Sequence, residues 1–371
     1  MLWLWWALRR LESSVPSERY AAVQKLGRCR NARAIAALTS LLKDKTEEIR
    51  REAATALEQL GWEPLTSEDH VWFAVAKEEW AKVSAEGAAA VQPLAIMVTA
   101  SKPTQSGNVP KQSVGHRIGH RRSSPHRKSP TQLNARNALA AIRDPGAVDL
   151  LASLMMTGDA CLYEPASEAL VGIGGADATD ALVSGLEHPS VGVRQSAARA
   201  LGRVKSKEAV IPLTRLLKDS SGDVRSVAAE ALGEIKDPAA VGCLMERLND
   251  GNSVVVLAVV RALCSIGDPR ALESMVQVLE VHHYVGKQVR PRELAAFRHP
   301  SLVPWLIKCL HNNATTREAV ESLAVIRDIS SVEALAQVHG AYQGFRNVGR
   351  NCLGISWKRR LACYQCSQDS N

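Results

Sequence analysis

Histidine and cysteine are the residue types in this chain whose spacing comes closest to that of a chemical site. His282 and His283 are adjacent, and His299 and His311 follow nearby in the sequence. Imidazole nitrogens at suitable intervals bind zinc, but these intervals match no known zinc site. We therefore interpret the four histidines as loop residues, and we predict no metal and no cofactor.

A single CxxC pair, Cys363 and Cys366, lies close to the end of the sequence, and Cys352 precedes it by eleven residues. Such a pair can bind zinc or exchange disulfides, but the segment around it has lost all hydrophobic periodicity, which indicates an irregular tail. Cys243 and Cys264 occupy positions that are apolar in neighbouring repeats. This pattern favours buried free thiols in a reducing compartment, and we predict a cytoplasmic protein.

The local signatures of common enzyme chemistry are missing from the sequence. It contains no GxxxxGK[ST] phosphate loop, no GxSxG elbow and no HExxH helix. These motifs mark nucleotide, acyl-transfer and zinc-protease chemistry respectively. The sequence thus gives no positive case for catalysis, and a non-enzymatic protein is favoured.

The dominant feature is a repeat of 31 residues. Leu201, Leu232 and Leu263 align when the sequence is shifted by this interval, and so do Leu213, Leu244 and Met275. A fixed period of this size indicates a solenoid. Within one repeat, apolar residues at helical spacing predict one buried stripe on the second helix; they are Val241, Leu244, Met245 and Leu248.

Two further patterns predict how the repeats turn and stack. A residue pair ending in proline should mark the turn between the helices, because proline is tolerated in a first helical turn. These pairs are Asp144-Pro145, Asp237-Pro238, Asp268-Pro269 and His299-Pro300. Asp44 precedes Arg50 by six residues, and Asp219 precedes Arg225 by six. We expect each arginine to bond the acidic linker of its own or the next repeat in a structural role.

Units such as DVRSVAAEALGEIKDPAAVGCLMERL, found across residues 17–340, resemble the short HEAT-like repeats of the type also found in phycobilisome lyases. The resemblance implies an all-α fold, an α-solenoid (superhelix) of stacked antiparallel helix pairs. It is compatible with scaffolds, bilin lyase subunits and a di-iron deoxyhypusine hydroxylase. The hydroxylase type relies on His-Glu dipeptides to hold its irons, and this sequence has none.

The sequence predicts five segments. Residues 1–16 form an apolar capping segment, because MLWLWWALRR is too short to span a bilayer; contact with a membrane surface is the alternative. Repeats follow at 17–100, where SEDHVWFAVAKEEWAKVSAEGAAAVQPLAIMV indicates an irregular, Trp-containing helix pair. A basic disordered insertion is expected at 101–131, a regular repeat array at 132–340, and an irregular tail at 341–371.

The net positive charge of the chain is concentrated in the insertion at 101–131. It contains seven Lys or Arg residues and no Asp or Glu, which leaves 39 basic and 38 acidic residues elsewhere. We predict that it is an accessory contact for an acidic protein, RNA or an anionic membrane; the alternative is an insertion that the surface loop tolerates and that binds nothing. The basic residues assigned to this contact are Arg117, Arg121, Arg122, Arg127 and Lys128.

The second helices of such arrays usually line the concave face, and their polar positions are the predicted binding residues. These are Arg215, Lys218, Glu246, Asn249, Gln277, Glu280, Lys308 and His311. Their charges alternate in sign, which favours a protein partner over a phosphate backbone. The predicted function is a non-enzymatic protein-interaction scaffold. The alternatives are a bilin lyase or lyase-like chaperone, and nucleic-acid or membrane binding by the basic insertion.

Overall fold

The computed structural model describes residues 2–99, 130–295, 297–310 and 315–326. Over these residues the secondary structure is α-helical with short 3₁₀ turns and contains no β-strand. The predicted all-α solenoid fold is thereby confirmed. The five basic residues assigned to the insertion, His311 and the tail at 341–371 lie outside the described residues.

The chain divides into two compact units, residues 1–200 and 201–371. The first unit contains the helices α1 (Leu2–Leu11), α2 (Pro16–Leu26), α3 (Ala32–Leu41), α4 (Glu47–Gln59), α5 (Ser67–Ala76), α6 (Trp80–Ala85), α7 (Ala88–Thr99), α8 (Pro130–Ala140), α9 (Val148–Met155), α10 (Ala160–Ile173) and α11 (Gly175–Gly185). The boundary falls within α12 (Val191–Val204). The helices after it are α13 (Val210–Leu216), α14 (Gly222–Ile235), α15 (Val241–Glu246), α16 (Ser253–Ile266), α17 (Leu272–Val281), α18 (His283–Gln288), α19 (Pro291–Ala295), α20 (Val303–Leu310) and α21 (Thr316–Ile326).

The regular repeats consist of a first helix of 14 residues, a 3₁₀ turn and a shorter second helix, as in α14 and α15. The predicted prolines open the 3₁₀ turns. The side chain of Asp237 accepts a hydrogen bond from the backbone N–H of Ala239 at 2.8 Å, and Asp144, Asp268 and His299 accept in the same way. The predicted turn signal is therefore confirmed, and each turn is capped by its own side chain.

The leucine columns form the core. Leu201, Leu232 and Leu263 are fully buried, as are Leu213, Leu244 and Met275. First helices of adjacent repeats approach closely where glycine faces alanine. A Cβ placed on Gly233 would lie 2.7 Å from the Cα of Ala262, so this contact requires glycine.

The irregular segment predicted as a helix pair contains three helices, α5, α6 and α7. Two residues with left-handed backbone divide it. Glu78 has φ of +60° between α5 and α6, and Gly87 has φ of +58° between α6 and α7. Trp72 is buried in α5, whereas Trp80 in α6 is half-buried.

The predicted capping segment contains α1, which packs against α2 and also contacts α3. Helix α8 begins at Pro130, inside the range assigned to the insertion. The five-segment division otherwise stays a prediction. No helix in the described ranges combines the length and the apolar character that crossing a bilayer demands.

Candidate protein-binding surface

The polar positions of the second helices form an exposed surface, which we call the second-helix surface. Its predicted members in the described chain all lie exposed to solvent; they are Arg215, Lys218, Glu246, Asn249, Gln277, Glu280 and Lys308. They are exposed because the opposite stripe of each helix, which includes Leu213 and Leu244, is buried in the core. The assignment of this surface to a concave side stays a prediction.

A cavity of about 250 Å³ opens on this surface between α15 with its following 3₁₀ turn and α17. We call it the α15–α17 cavity. Two predicted residues, Asn249 and Gln277, meet at it. Its complete lining is Met245, Leu248, Asn249, Ser274, Gln277, Val278, Val281 and His282.

The cavity combines an apolar floor with a polar rim. Leu248 and Val278 are buried beneath it, and Val281 stands at its edge with 79% of its surface exposed. The amides of Asn249 and Gln277 can each donate and accept hydrogen bonds. A volume of 250 Å³ is smaller than most cofactor or drug-sized pockets, which begin at about 300 Å³. The cavity therefore suits one apolar side chain of a bound peptide, with neighbouring polar groups of that peptide hydrogen-bonded to the amides of Asn249 and Gln277.

The remaining predicted residues of the second-helix surface do not line the cavity. Lys308 Nζ lies 2.8 Å from the carboxylate of Glu280, and both side chains are substantially exposed. An exposed pair of this kind contributes little to stability, about 1 kcal/mol or less. Both side chains therefore remain available to a partner that offers charges of its own.

The predicted arginine–aspartate pairing between successive linkers is interrupted at the α15–α17 cavity, and this interruption makes the contact between the two repeats apolar. Arg225 donates from Nη1 to the carbonyl oxygen of Asp219 in its own linker, at 2.9 Å, and it pairs with Asp250 in the next linker. One repeat later the corresponding residues are Val256 and Val281. The ion pair is thus replaced by two valines, and Val281, the last residue of α17, is the exposed apolar residue of the α15–α17 cavity.

The first unit contains a larger cavity, of about 540 Å³, between α3 and the connection from α4 to α5. The exposed side chain of Leu65 and the half-buried ring of Trp62 lie on one side of it. Trp62 packs against Phe73 with ring centroids 5.7 Å apart. Its lining residues are Ala32, Ile35, Ala36, Thr39, Ser40, Lys43, Trp62, Leu65 and Asp69.

Comparison with protein families identifies these repeats. The model of HEAT repeats matches residues 4–71, 163–232 and 212–289, which together make up more than half of the chain. The chain belongs to the HEAT-repeat family. No curated protein matches this HEAT-repeat sequence.

Solved structures resemble the HEAT-repeat chain in fold at low sequence identity. The karyopherin Kap121p gives a TM-score of 0.53 with 15% identity over 96% of this chain and 45% of that chain. Kap95p gives 0.50 with 14% identity over 97% and 50%. The chain therefore spans about half the length of these proteins. Human deoxyhypusine hydroxylase gives only 0.30, with 21% identity over 71% and 84%.

Most of the apolar lining of the α15–α17 cavity in this HEAT-repeat chain could not be predicted from the sequence. Met245, Leu248 and Val278 belong to the stripe that the sequence assigns to the core, and only the packing shows that they also border a cavity. One signal was present. Val281 occupies the column that holds Asp219 and Asp250 in the preceding repeats, and an exposed valine in place of a linker carboxylate indicates a specialised joint.

Proposed function

We propose that this HEAT-repeat protein is a non-enzymatic scaffold that holds a segment of a partner protein on its second-helix surface. The observation that carries the proposal is the α15–α17 cavity, in which an apolar floor is bordered by the amides of Asn249 and Gln277. One apolar side chain of the partner fills the cavity, and polar groups beside it bond these amides. Such a central, desolvated anchor contributes more affinity than the polar contacts around it.

The charges of the second-helix surface support a protein partner. Arg215 and Lys218 are positive, Glu246 and Glu280 are negative, and Lys308 is positive again. A surface that binds a phosphate backbone presents a continuous positive run, which this one lacks. A partner segment with charges of both signs is complementary to it and is kept in one register by those charges.

The test replaces Gln277 with a photo-crosslinking residue and compares it with the same residue at Ile211, which is 68% exposed and lies outside the cavity. After irradiation in native lysate, position 277 should yield a discrete crosslinked protein that position 211 does not. The V281D variant should lose that product. Its fold should be retained, because aspartate already occupies the equivalent position in two preceding repeats.

An I211D variant is the matched control, since it also places a carboxylate at an exposed aliphatic position. It should keep the crosslink from position 277. Crosslinking that is equal from both positions, or that survives V281D unchanged, would contradict the proposed site.

Two alternatives from the sequence have separate tests. A bilin lyase or chaperone of the phycobilisome-lyase type would produce visible absorbance when coexpressed with bilin synthesis and a phycobiliprotein. Binding through the basic insertion would disappear when Arg121, Arg122, Arg127 and Lys128 become Gln. The α15–α17 cavity favours the scaffold function over both alternatives, because its size and lining suit a protein side chain rather than a chromophore or an anionic polymer. Cytoplasmic localisation stays a prediction.

A further inference from the structure

Helix α1 presents two tryptophans to solvent. Trp5 is 60% exposed and Trp6 is 37% exposed, whereas Ala7 in the same helix is fully buried. Helix α1 packs against α2, so its inner face is already occupied. Large apolar side chains that are exposed side by side are typical of surfaces that bind a protein, a ligand or a membrane.

Cations lie over the rings of both tryptophans. The Arg9 guanidinium carbon is 5.3 Å from the ring centroid of Trp5, and that of Arg10 is 4.2 Å from the ring centroid of Trp6. This pairing follows from the helix, since residues four apart share one face. Lys25, in the last turn of α2, places its Nζ 4.3 Å from the same Trp6 ring. The exposed surface therefore combines indole rings with positive charges in direct contact.

The neighbouring chain extends this positive charge. Residues 1–33 contain seven basic and two acidic residues. One of the seven, Arg19, is used within the fold by its ion pair with Asp44. Helix α1 also contacts α3, and the chain between α2 and the first turn of α3 adds exposed cations; they are Arg28, Arg30 and Arg33.

We propose that α1, together with Lys25 and the α2–α3 connection, is a docking surface for an anionic lipid bilayer. Tryptophan partitions to the boundary between headgroups and acyl chains, where its ring is buried and its N–H remains in a polar region. The cations beside Trp5 and Trp6 then contact lipid phosphates, and each contributes about 1 kcal/mol near an anionic surface. The scaffold thereby acquires an attachment point in the first unit, apart from its α15–α17 cavity.

Single-stranded nucleic acid is the other anionic ligand that uses aromatic rings, and the geometry disfavours it. Nucleic-acid bases bind such proteins by stacking on exposed ring faces. Both Arg10 and Lys25 already lie over the Trp6 ring. A bilayer interface accepts the ring with its cations in place, whereas a stacked base would have to displace them.

The test is co-sedimentation of the full chain with vesicles of phosphatidylcholine alone and with vesicles that also contain phosphatidylglycerol. The wild-type chain should bind only the anionic vesicles, and binding should weaken as salt is added. Joint substitution of Trp5→Ser and Trp6→Ser should weaken binding by on the order of tenfold, because both rings lose their buried area. Joint substitution of Arg9→Gln and Arg10→Gln should weaken it by about fivefold for each charge removed.

Matched controls remove equivalent groups elsewhere. Tyr284→Ser removes an aromatic ring that is 49% exposed in the second unit, and Lys205→Gln with Lys207→Gln removes two exposed cations. Both controls should bind vesicles like the wild type. The single variant Trp5→Ser, at the more exposed of the two positions, keeps the test decisive if the double variant unfolds.

The proposal is overturned if the wild type ignores anionic vesicles, or if the tryptophan variants bind them as well as the wild type. Binding of single-stranded RNA without binding of vesicles would assign the surface to nucleic acid and overturn it equally. None of these outcomes affects crosslinking from position 277, so the scaffold and the docking surface are tested independently.

Discussion

Arg225 donates from Nε and Nη2 to the two carboxylate oxygens of Asp250, both at 2.8 Å, across 25 residues of sequence. The two side chains are 17% and 5% exposed, so the pair is largely removed from water. Arg19 holds Asp44 by the same two-pronged geometry, at 2.9 and 3.1 Å. Each arginine therefore joins the linker of one repeat to the linker of the next.

Asp250→Asn should lower the free energy of unfolding by about 3 kcal/mol, because it leaves the buried guanidinium of Arg225 without its counter-charge. Urea unfolding followed by circular dichroism measures this loss. Arg270→Gln is the control. Its ion pair with Asp268 is shorter, at 2.6 Å, but Arg270 is 69% exposed, so the loss should stay below about 1 kcal/mol. An equal loss in both variants would show that burial does not determine the strength of the pair.

The same pair predicts a pH dependence. The hydrogen bonds from Arg225 lower the pKa of Asp250 below its ordinary value of 3.8. A carboxylate whose pKa is lowered by folding stabilises the fold above its unfolded pKa, and that contribution is lost as the pH falls through the lowered value. The difference in unfolding free energy between wild type and Asp250→Asn should therefore be constant near neutrality and shrink below about pH 4. A constant difference down to pH 2 would contradict this assignment.

Arg19 and Arg50 occupy equivalent positions one repeat apart but should respond differently to replacement by methionine. Nε of Arg50 is buried without a hydrogen-bond partner, and burial lowers the pKa of its guanidinium. The residue 25 positions after Arg50 is Val75, which offers no carboxylate. Arg19→Met should cost about 3 kcal/mol, whereas Arg50→Met should cost about 1 kcal/mol or less, because it also removes a poorly compensated buried charge.

Urea unfolding of these two variants provides the comparison, and each serves as the other's control for loss of an arginine stem. A larger loss of unfolding free energy for Arg50→Met than for Arg19→Met would contradict the prediction, because it would mean that the Asp44 carboxylate does not determine how much Arg19 stabilises the fold.

Gly233→Ala should destabilise the second unit by about 2 kcal/mol, because the new Cβ would lie 2.7 Å from the backbone of Ala262 and push α14 away from α16. Gly242→Ala is the matched control in α15, since no atom lies within 4 Å of its added Cβ. That substitution should be neutral or stabilising by up to about 1 kcal/mol, from helix propensity alone. Thermal unfolding distinguishes the two, and equal effects would show that the helices can separate without cost.

Cys264 should resist alkylation in the folded protein. The sequence predicts Cys243 and Cys264 to be buried, but both are half-buried. Desolvation by the surrounding protein, with a smaller contribution from the carboxylate of Glu293, nevertheless raises the pKa of the Cys264 thiol from 9.0 to about 12. The reactive thiolate at pH 8 is therefore reduced by on the order of a thousandfold. Iodoacetamide labelling resolved by peptide mass spectrometry should show slow modification of Cys264 that becomes fast in urea. Fast labelling of the folded chain would indicate local opening of α16.

Much of the repeat architecture follows from residue patterns alone. The alignment of Leu201, Leu232 and Leu263 predicts buried positions, and all three are buried. The Asp–Pro pairs predict turns, and the side chain of Asp237 caps one of them. These features are predictable because a helix repeats its faces at a fixed spacing and a cap forms between residues two positions apart.

The segment between Trp62 and Thr99 was less predictable. Its apolar spacing indicates helices but not their number, and the division between α5 and α6 depends on the left-handed backbone of Glu78. Glutamate has no intrinsic preference for that conformation, so surrounding contacts impose it. A pattern read from neighbouring residues therefore finds the helices and misses the break.

The fold class, the repeat length, the buried columns and the exposed polar positions of the second helices all follow from residue spacing, because each depends on local periodicity. The packing of the helices was needed to show that Asn249 and Gln277 line one cavity, that Val281 is exposed at its edge, and that cations lie over Trp5 and Trp6. These relationships depend on distances between different helices. Such distances are set by how side chains of adjacent repeats pack, which no single repeat encodes.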